Sequence, residues 1–271
     1  MPELPEVESV ARTLRDNCPS LIGARITSVD AVWSGVVALD PGCRDIGQLQ
    51  GCRCVSVGRL GKYLLVGVET PQGHSRCLVI HLRMTGRLFL VPEGVPVERH
   101  TRLALTLDNG CALRFDDPRK FGRVWLTDDA ASITAKLGPD ALDIGREVFA
   151  ARLAGHRRQI KPLLLDQSVV AGIGNIYADE SLHRAGIHPC ANSADLTPEK
   201  LRRLHAAVIS VLGEAVAAQG ANIDGVFKAG SYVVSVYGRE GQPCPVCGSP
   251  VRKIRVAQRG THFCDRCQLL S

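Results

Sequence analysis

Leu103-Ala104-Leu105-Thr106-Leu107-Asp108-Asn109-Gly110-Cys111-Ala112-Leu113-Arg114-Phe115 sets the architecture of the first half of the chain. Leu103, Leu105 and Leu107 alternate with small or polar residues, and Cys111, Leu113 and Phe115 repeat the pattern after a break. A period of two places such side chains on one face of a strand. Asn109-Gly110 at the break tolerates positive φ, so the segment predicts a hairpin with a primed turn.

Upstream, short apolar runs recur at Ile26–Trp33, Val55–Leu60, Tyr63–Val68 and Leu78–Leu82, separated by glycine, proline and polar turns. Many short strands joined by hairpins point to a sandwich or barrel over residues 20–127. The N-terminal Met1-Pro2-Glu3-Leu4-Pro5-Glu6-Val7-Glu8 predicts a helix start: Pro5 suits the first turn, and Glu6 and Glu8 suit the positive end of the helix dipole. Val7, Val10, Ala11 and Leu14 give it a buried face. Those first residues also carry chemistry. Removal of Met1, which a small second residue permits, makes Pro2 a free secondary amine beside Glu3 and Glu6. Terminal amines titrate at about 8, so part of the population is nucleophilic at neutral pH and can form an iminium with a sugar aldehyde carbon.

Downstream, residues 128–146 show no sustained period, and the domain junction is placed there. Helices are expected near 147–157, 161–167 and 176–185. Thr197-Pro198-Glu199 starts a further helix, with Thr197 as cap and Pro198 at the first position. The expected organisation is a domain over 1–130, a linker over 131–146, a helical domain over 147–232 and a metal finger over 233–271.

Composition narrows the classes. The 271 residues carry a net charge of +6, with 45% hydrophobic and 22% charged residues, as in a globular protein. A basic balance is compatible with a polyanionic partner. No run is long enough to span a membrane and no secretory pattern opens the chain, so a cytoplasmic protein is expected. The eleven cysteines are an odd count and argue against a disulfide framework. Cys18, Cys43, Cys52, Cys54, Cys77, Cys111 and Cys190 read as small reduced core residues. Cys52 and Cys54 share one face of a strand.

The remaining four stand apart. Cys244-Pro-Val-Cys247 and Cys264-Asp-Arg-Cys267 have the spacing of a four-thiolate site for one structural Zn2+. Four thiolates leave no open position for water, which argues against a hydrolytic zinc. The segment Val251–Val256 alternates as a strand with its basic residues on one face, and Gln258-Arg259-Gly260-Thr261 offers the turn after it. Arg252, Lys253, Arg255 and Arg259 suit a phosphate backbone.

PELPEVE at the start, Arg119-Lys120-Phe121-Gly122, Ala171-Gly172-Ile173-Gly174-Asn175-Ile176-Tyr177-Ala178-Asp179-Glu180 and the four-cysteine finger occur in this order. Together they resemble the bacterial formamidopyrimidine-DNA glycosylases, repair enzymes for oxidised purines, over both ends and the middle of the chain. The resemblance implies an α+β multidomain protein: an N-terminal β-sandwich preceded by a helix, a helical domain with a helix–two-turns–helix motif, and a C-terminal zinc-finger β-hairpin. It implies a monomer acting on damaged double-stranded DNA at the bacterial nucleoid, with the DNA in a cleft between the domains. Pro2 corresponds to the nucleophile on C1′, Glu3 to the acid–base group and Glu6 to a supporting residue. Lys62 and Arg259, counted with the catalytic residues, correspond to a phosphate-binding lysine and to the finger-tip arginine that contacts phosphate at the lesion, and Asn175 to a further phosphate contact.

Met84, Arg119 and Phe121 correspond to the trio that fills the gap left by an extruded base. On residue type alone, Met84 reads as a core gap-filler. The glycines around Asn175 lack the third glycine of a dinucleotide loop, and helix-terminal N–H groups approaching a DNA phosphate explain them better. One region departs from the family. Between Gly220 and Tyr232 a longer lid is usual, with a threonine and a basic residue near its start, whereas here the 221–231 segment is short and Asp224 stands near the place of the basic residue.

The expected activity is removal of formamidopyrimidines and 8-oxoguanine, followed by β,δ-elimination at the abasic site. Two alternatives remain open from the sequence. One is an oxidised-pyrimidine glycosylase of the endonuclease VIII type, although those commonly begin Pro-Glu-Gly-Pro. The other is a zinc-containing damaged-DNA-binding protein without catalysis.

Overall fold

The structure, a computed structural model, describes residues 2–39, 45–223, 225 and 229–270. Met1, Cys43 and Asp224, each named above, lie outside the described residues, as do positions 226–228 of the short 221–231 segment. The described residues form two compact units. One holds Pro2, residues 6–39, 45–135, 223 and 225, and the other holds residues 3–5, 136–222 and 229–270.

The first unit is a β-sandwich. Helix α1 (Leu4–Asp16), which belongs to this unit from Glu6 onward, is followed by β1 (Ile26–Asp30), β2 (Val37–Leu39), β3 (Arg53–Leu60), β4 (Tyr63–Glu69), β5 (Ser75–His81), β6 (Arg87–Pro92), β7 (Thr101–Leu107), β8 (Cys111–Asp116) and β9 (Arg123–Thr127). Among the described residues, one sheet has the order β1-β7-β8-β6 and the other β2-β9-β5-β4-β3, with β2 and β9 parallel. Leu64, Val66 and Ile80 of one sheet and Leu103, Leu105, Leu113 and Phe115 of the other share a core with Val7, Ala11 and Leu14 of α1.

The expected β7–β8 hairpin is present, with Leu105 opposite Leu113 and Thr106 opposite Ala112. Its turn differs from expectation. Only Gly110 takes positive φ, at 77°, so the loop is a three-residue connection rather than a primed turn. Both strands are interior to their sheet and are buried on both faces. Arg114 survives there by donating to the carbonyls of Val95 and Pro96. Cys52, Cys54 and Cys111 are buried as expected, but Cys18 is exposed just beyond α1. Burial pushes the Cys54 thiol up to about 12 and that of Cys77 to about 11, which makes both poor nucleophiles.

The second unit is helical and carries the finger. A short helix α2 (Ala130–Thr134), capped by Asp129, interrupts the stretch read as a linker and belongs to the first unit. Then come α3 (Arg146–Ala154), α4 (Ile160–Leu165), α5 (Asn175–Ala185), α6 (Pro198–Ala217) and the hairpin β10 (Arg252–Val256) and β11 (Arg259–Phe263). Thr197 caps α6 by accepting from Lys200 N at 3.3 Å. Leu201, Leu204, Val208, Val211 and Ala215 of α6 join Phe149, Leu163, Leu164, Ile176 and Leu182 in one core. Among the described residues, no helix is long and apolar enough to cross a membrane.

Candidate active site

Glu3 is buried and receives the start of α5: its carboxylate accepts from Ile176 N at 3.0 Å and Tyr177 N at 3.3 Å. These are two of the N–H groups that a helix start leaves without intrahelical partners, and the positive end of the helix dipole favours an anion there. The glycines that precede α5 make room for this approach. A Cβ at Gly174 would stand 2.2 Å from Glu3 Cδ, and one at Gly172, whose φ is 109°, would stand 2.4 Å from Leu4 Cδ1. Leu4 N donates to Gly172 O at 3.1 Å, and Gln167 brackets the turn from the other side, through Gly172 N and Ile173 O. The expectation that these helix-terminal N–H groups meet a DNA phosphate is therefore corrected for Ile176 and Tyr177. The chain's own third residue occupies them.

Asn175 opens α5 and its Nδ2 donates to Gly260 O at 3.1 Å, which ties the helix start to the tip of the finger. That tip is held from beneath by Lys161, a fully buried side chain whose Nζ reaches Asp179 Oδ1, Thr261 Oγ1 and Gly260 O. Lys161 lies near enough to Glu3 and Arg259 to feel both charges. Arg259 is exposed at the first position of β11. The turn falls earlier than expected, at Ala257-Gln258, both with positive φ, as a primed hairpin turn requires.

The finger's basic residues are not on one face. Strand register puts Lys253 and Arg255 on one side and Arg252 with Val256 on the other. Arg252 pairs with Asp265 and Lys253 with Glu240, while Arg255 and Arg259 form no ion pair among the described residues. Glu180, next to Asp179, accepts from the backbone N–H groups of Ser235, Val236 and Tyr237 and so holds the chain entering the finger.

Cys244, Cys247, Cys264 and Cys267 place their Sγ atoms all within 4.8 Å of one another. Cys244 and Cys267 are 3.9 Å apart and Cys247 and Cys264 3.4 Å. A tetrahedron with Zn–S bonds of about 2.3 Å has edges of about 3.8 Å, so the set fits one structural zinc. His183 Nε2 stands 3.3 Å from Cys244 Sγ as an outer partner.

In the first unit, Lys62 is buried directly after Gly61, whose φ is 56°. Arg59 fixes this turn by donating to Gly61 O, and it pairs with Glu8 of α1 at 3.0 Å. Burial pushes the Glu8 carboxyl up, but Arg12 and Arg59 outweigh it and hold it below the usual range. Pro2 and Glu6 are also buried. Met84 is not a core gap-filler: it is 40% exposed on the loop between β5 and β6. Phe121 is 47% exposed on the loop between β8 and β9, with the Arg119 guanidinium 4.7 Å from its ring centroid. Gln167, Lys161, Arg59 and Asp117 escaped the sequence reading, and Asp179 and Glu180 entered it only as part of the motif around Asn175, without a role. Only their buried charge or amide in otherwise apolar or turn-like segments could have signalled them.

A β-sandwich entered by a short acidic N-terminus, a helical unit whose Gly-rich turn receives Glu3, and a four-thiolate hairpin define a zinc-finger DNA glycosylase. The N-terminal domain of formamidopyrimidine-DNA glycosylase matches residues 1–124, its H2TH domain residues 137–225, and the zinc finger found in FPG and IleRS residues 241–269. The chain belongs to the formamidopyrimidine-DNA glycosylase family. It is 42% identical to the formamidopyrimidine-DNA glycosylase of Symbiobacterium thermophilum over 99% of this chain and 89% of that one. The crystal structure of MutM (Fpg) from Thermus thermophilus is similar at a TM-score of 0.85 and 38% identity, covering all of both chains. A Lactococcus lactis Fpg mutant bound to Fapy-dG-containing DNA is similar at a TM-score of 0.89 and 34% identity, covering 99% of this chain and 100% of that one.

Proposed function

We propose that the protein is a bifunctional base-excision repair enzyme: a glycosylase for formamidopyrimidine and 8-oxoguanine in double-stranded DNA and a lyase at the abasic site it makes. It acts as a monomer at the bacterial nucleoid. Pro2, once Met1 is removed, attacks C1′ through its nitrogen lone pair. The C1′–base bond breaks and the base leaves with a proton. The amine proton passes to O4′ as the C1′–O4′ bond opens and an iminium forms, loss of a C2′ proton expels the 3′ phosphate, loss of a C4′ proton expels the 5′ phosphate, and water hydrolyses the remaining iminium to free Pro2. Glu3 moves the protons, and Glu6 supports it. Lys62, Asn175 and Arg259 hold the backbone phosphates. Met84 and Phe121 fill the gap left by the base, and Arg119 hydrogen-bonds its former partner. An apolar wedge offsets part of the few kcal/mol that extrusion costs. The zinc stays structural and takes no part in these steps.

The observation that supports this reading most directly is the anchoring of Glu3. Two α5 amides fix the residue bonded to Pro2, which orders the N-terminal amine before substrate arrives. Borohydride trapping on 8-oxoguanine duplex, with the N-terminus weighed by mass spectrometry, tests it. A covalent adduct is expected from Pro2-initiated protein and a strongly diminished one from Pro2→Gly, whose primary terminal amine replaces the secondary amine. An undiminished adduct with Pro2→Gly sinks the nucleophile. Excision of thymine glycol in preference to 8-oxoguanine would move the protein to the endonuclease VIII type.

A further inference from the structure

The loops bearing Met84 and the Arg119–Phe121 pair converge on one buried carboxylate, that of Asp117. Asp117 has no solvent exposure. Its Oδ1 accepts from Thr85 Oγ1 at 2.5 Å and from Arg119 N at 3.2 Å, and its Oδ2 accepts from Gly122 N at 2.7 Å. Its own backbone is pinned as well: the N–H donates to His100 O at 2.9 Å, and the carbonyl accepts Arg102 Nε at 2.8 Å.

Both loops are crossings between the two sheets, one from β5 to β6 and the other from β8 to β9. Each contains a non-glycine residue with positive φ beside a wedge residue: Arg83 at 57° before Met84, and Lys120 at 58° between Arg119 and Phe121. Such conformations are unfavourable and persist only where the surroundings over-determine them. Tight packing adds to this. A Cβ at Gly86 would meet Leu82 O at 2.5 Å, and one at Gly122 would meet the Phe115 ring at 2.4 Å. The Thr85 hydroxyl is the bond by which Asp117 reaches from its own loop to the other one. Nothing in the proton or phosphate chemistry uses this carboxylate.

We propose that Asp117, through Thr85, is a positioning residue that couples the two loops, so that Met84 and the Arg119–Phe121 pair enter the duplex as one body. This coupling rests on the wedge role proposed for those three residues. The physical gain is preorganisation. A wedge already ordered in the free protein loses less side-chain and loop entropy when it enters the stack.

Thr85→Val removes the bridging hydroxyl at nearly constant volume and leaves the Asp117 bonds to Arg119 N and Gly122 N. Thr85→Ala does the same without the branched methyl, and Thr85→Ser restores the donor. Single-turnover excision of 8-oxoguanine is compared with cleavage at a preformed abasic site, with 2-aminopurine beside the lesion to report wedge entry. Both hydroxyl-free variants are expected to slow the 2-aminopurine phase and excision about tenfold more than abasic cleavage, the order expected when one or two side chains must be ordered at insertion. Thr85→Ser is expected to recover the rate. Equal slowing of both reactions, or no slowing, overturns the coupling. Met84→Ala separates the two levels. If it leaves excision unchanged, the wedge role itself fails. If it slows excision while Thr85→Val does not, only the coupling fails.

Discussion

The Lys161 ammonium lies 2.7 Å from Asp179 Oδ1, and neither side chain has any solvent exposure. α4 and α5 supply the pair, and its remaining hydrogen bonds go to the finger: Lys161 to Thr261 Oγ1 at 2.8 Å and Gly260 O at 3.1 Å, Asp179 Oδ2 from His262 N at 2.8 Å. Burial pushes the lysine down, and the Asp179 charge opposes that shift. The pair thus docks β11 onto the helices beneath Arg259.

Removing one partner leaves an uncompensated buried charge, which typically costs roughly 3–5 kcal/mol. Asp179→Ala and Lys161→Met are each expected to lower stability by that order in urea unfolding. Lys161→Met combined with Asp179→Leu should recover a large part of the loss, because an apolar pair needs no desolvation of charge. Additive losses in the double variant would show that the two side chains act independently.

Gly174→Ala tests the seat of Glu3. The new methyl would fall 2.2 Å from Glu3 Cδ, while the φ of Gly174, −123°, is open to any residue. The strain therefore falls on the carboxylate and not on the backbone. Excision is expected to drop by about two orders of magnitude, within the range by which misplaced catalytic groups reduce rate. Affinity for abasic-site DNA, measured by fluorescence anisotropy, should change far less. A matching loss of affinity would mean that the whole turn has shifted.

His81 confers a pH dependence on the sandwich. Burial, with the Arg83 and Lys62 charges adding to it, pushes its pKa down to about 3. The neutral ring accepts Arg83 N on Nδ1 at 3.0 Å and meets Tyr63 edge-on, with 4.6 Å between centroids. In the unfolded chain a histidine titrates near about 6.5. Below that pH the unfolded state takes up a proton that the folded state refuses. The contribution to stability is thus intact above about pH 6.5 and falls toward about pH 3, by at most about 1.4 kcal/mol per pH unit. Urea midpoints of wild type and His81→Asn, which keeps an acceptor, should converge as pH is lowered through this window. Parallel curves would disprove the assignment.

Zinc removal should release the finger. Its own apolar core is small, Val236 and Val251 with the cysteines Cys244 and Cys264, and so small a unit depends on its metal. The purified protein is expected to contain one zinc per chain by elemental analysis. A chelator, or Cys247→Ser, should weaken abasic-DNA binding at least tenfold, on the order of what loss of phosphate contacts brings. Far-ultraviolet dichroism should change little, because α3 to α6 and the sandwich have cores of their own. Unchanged DNA affinity after chelation would remove the finger from the binding surface.

The amino-acid sequence alone determined what depends on short separations. Alternation over Leu103–Phe115 specifies the β7–β8 pair, Thr197-Pro198 specifies the start of α6, and the spacing of Cys244, Cys247, Cys264 and Cys267 specifies a tetrahedral site, because each rests on periodicity or reach within a few residues. Tertiary structure alone decided where the buried charges go. Glu3 meets an amide 173 positions away, Thr85 meets a carboxylate 32 positions away, and Lys161 meets a hydroxyl 100 positions away. Nothing local distinguishes Asp117 in Asp116-Asp117-Pro118 from an ordinary turn aspartate. A buried polar group must find a partner, but which partner it finds depends on the elements that the chain path sets beside it. The same holds for Met84, a core residue by its chemistry, which the crossing from β5 to β6 leaves in solvent.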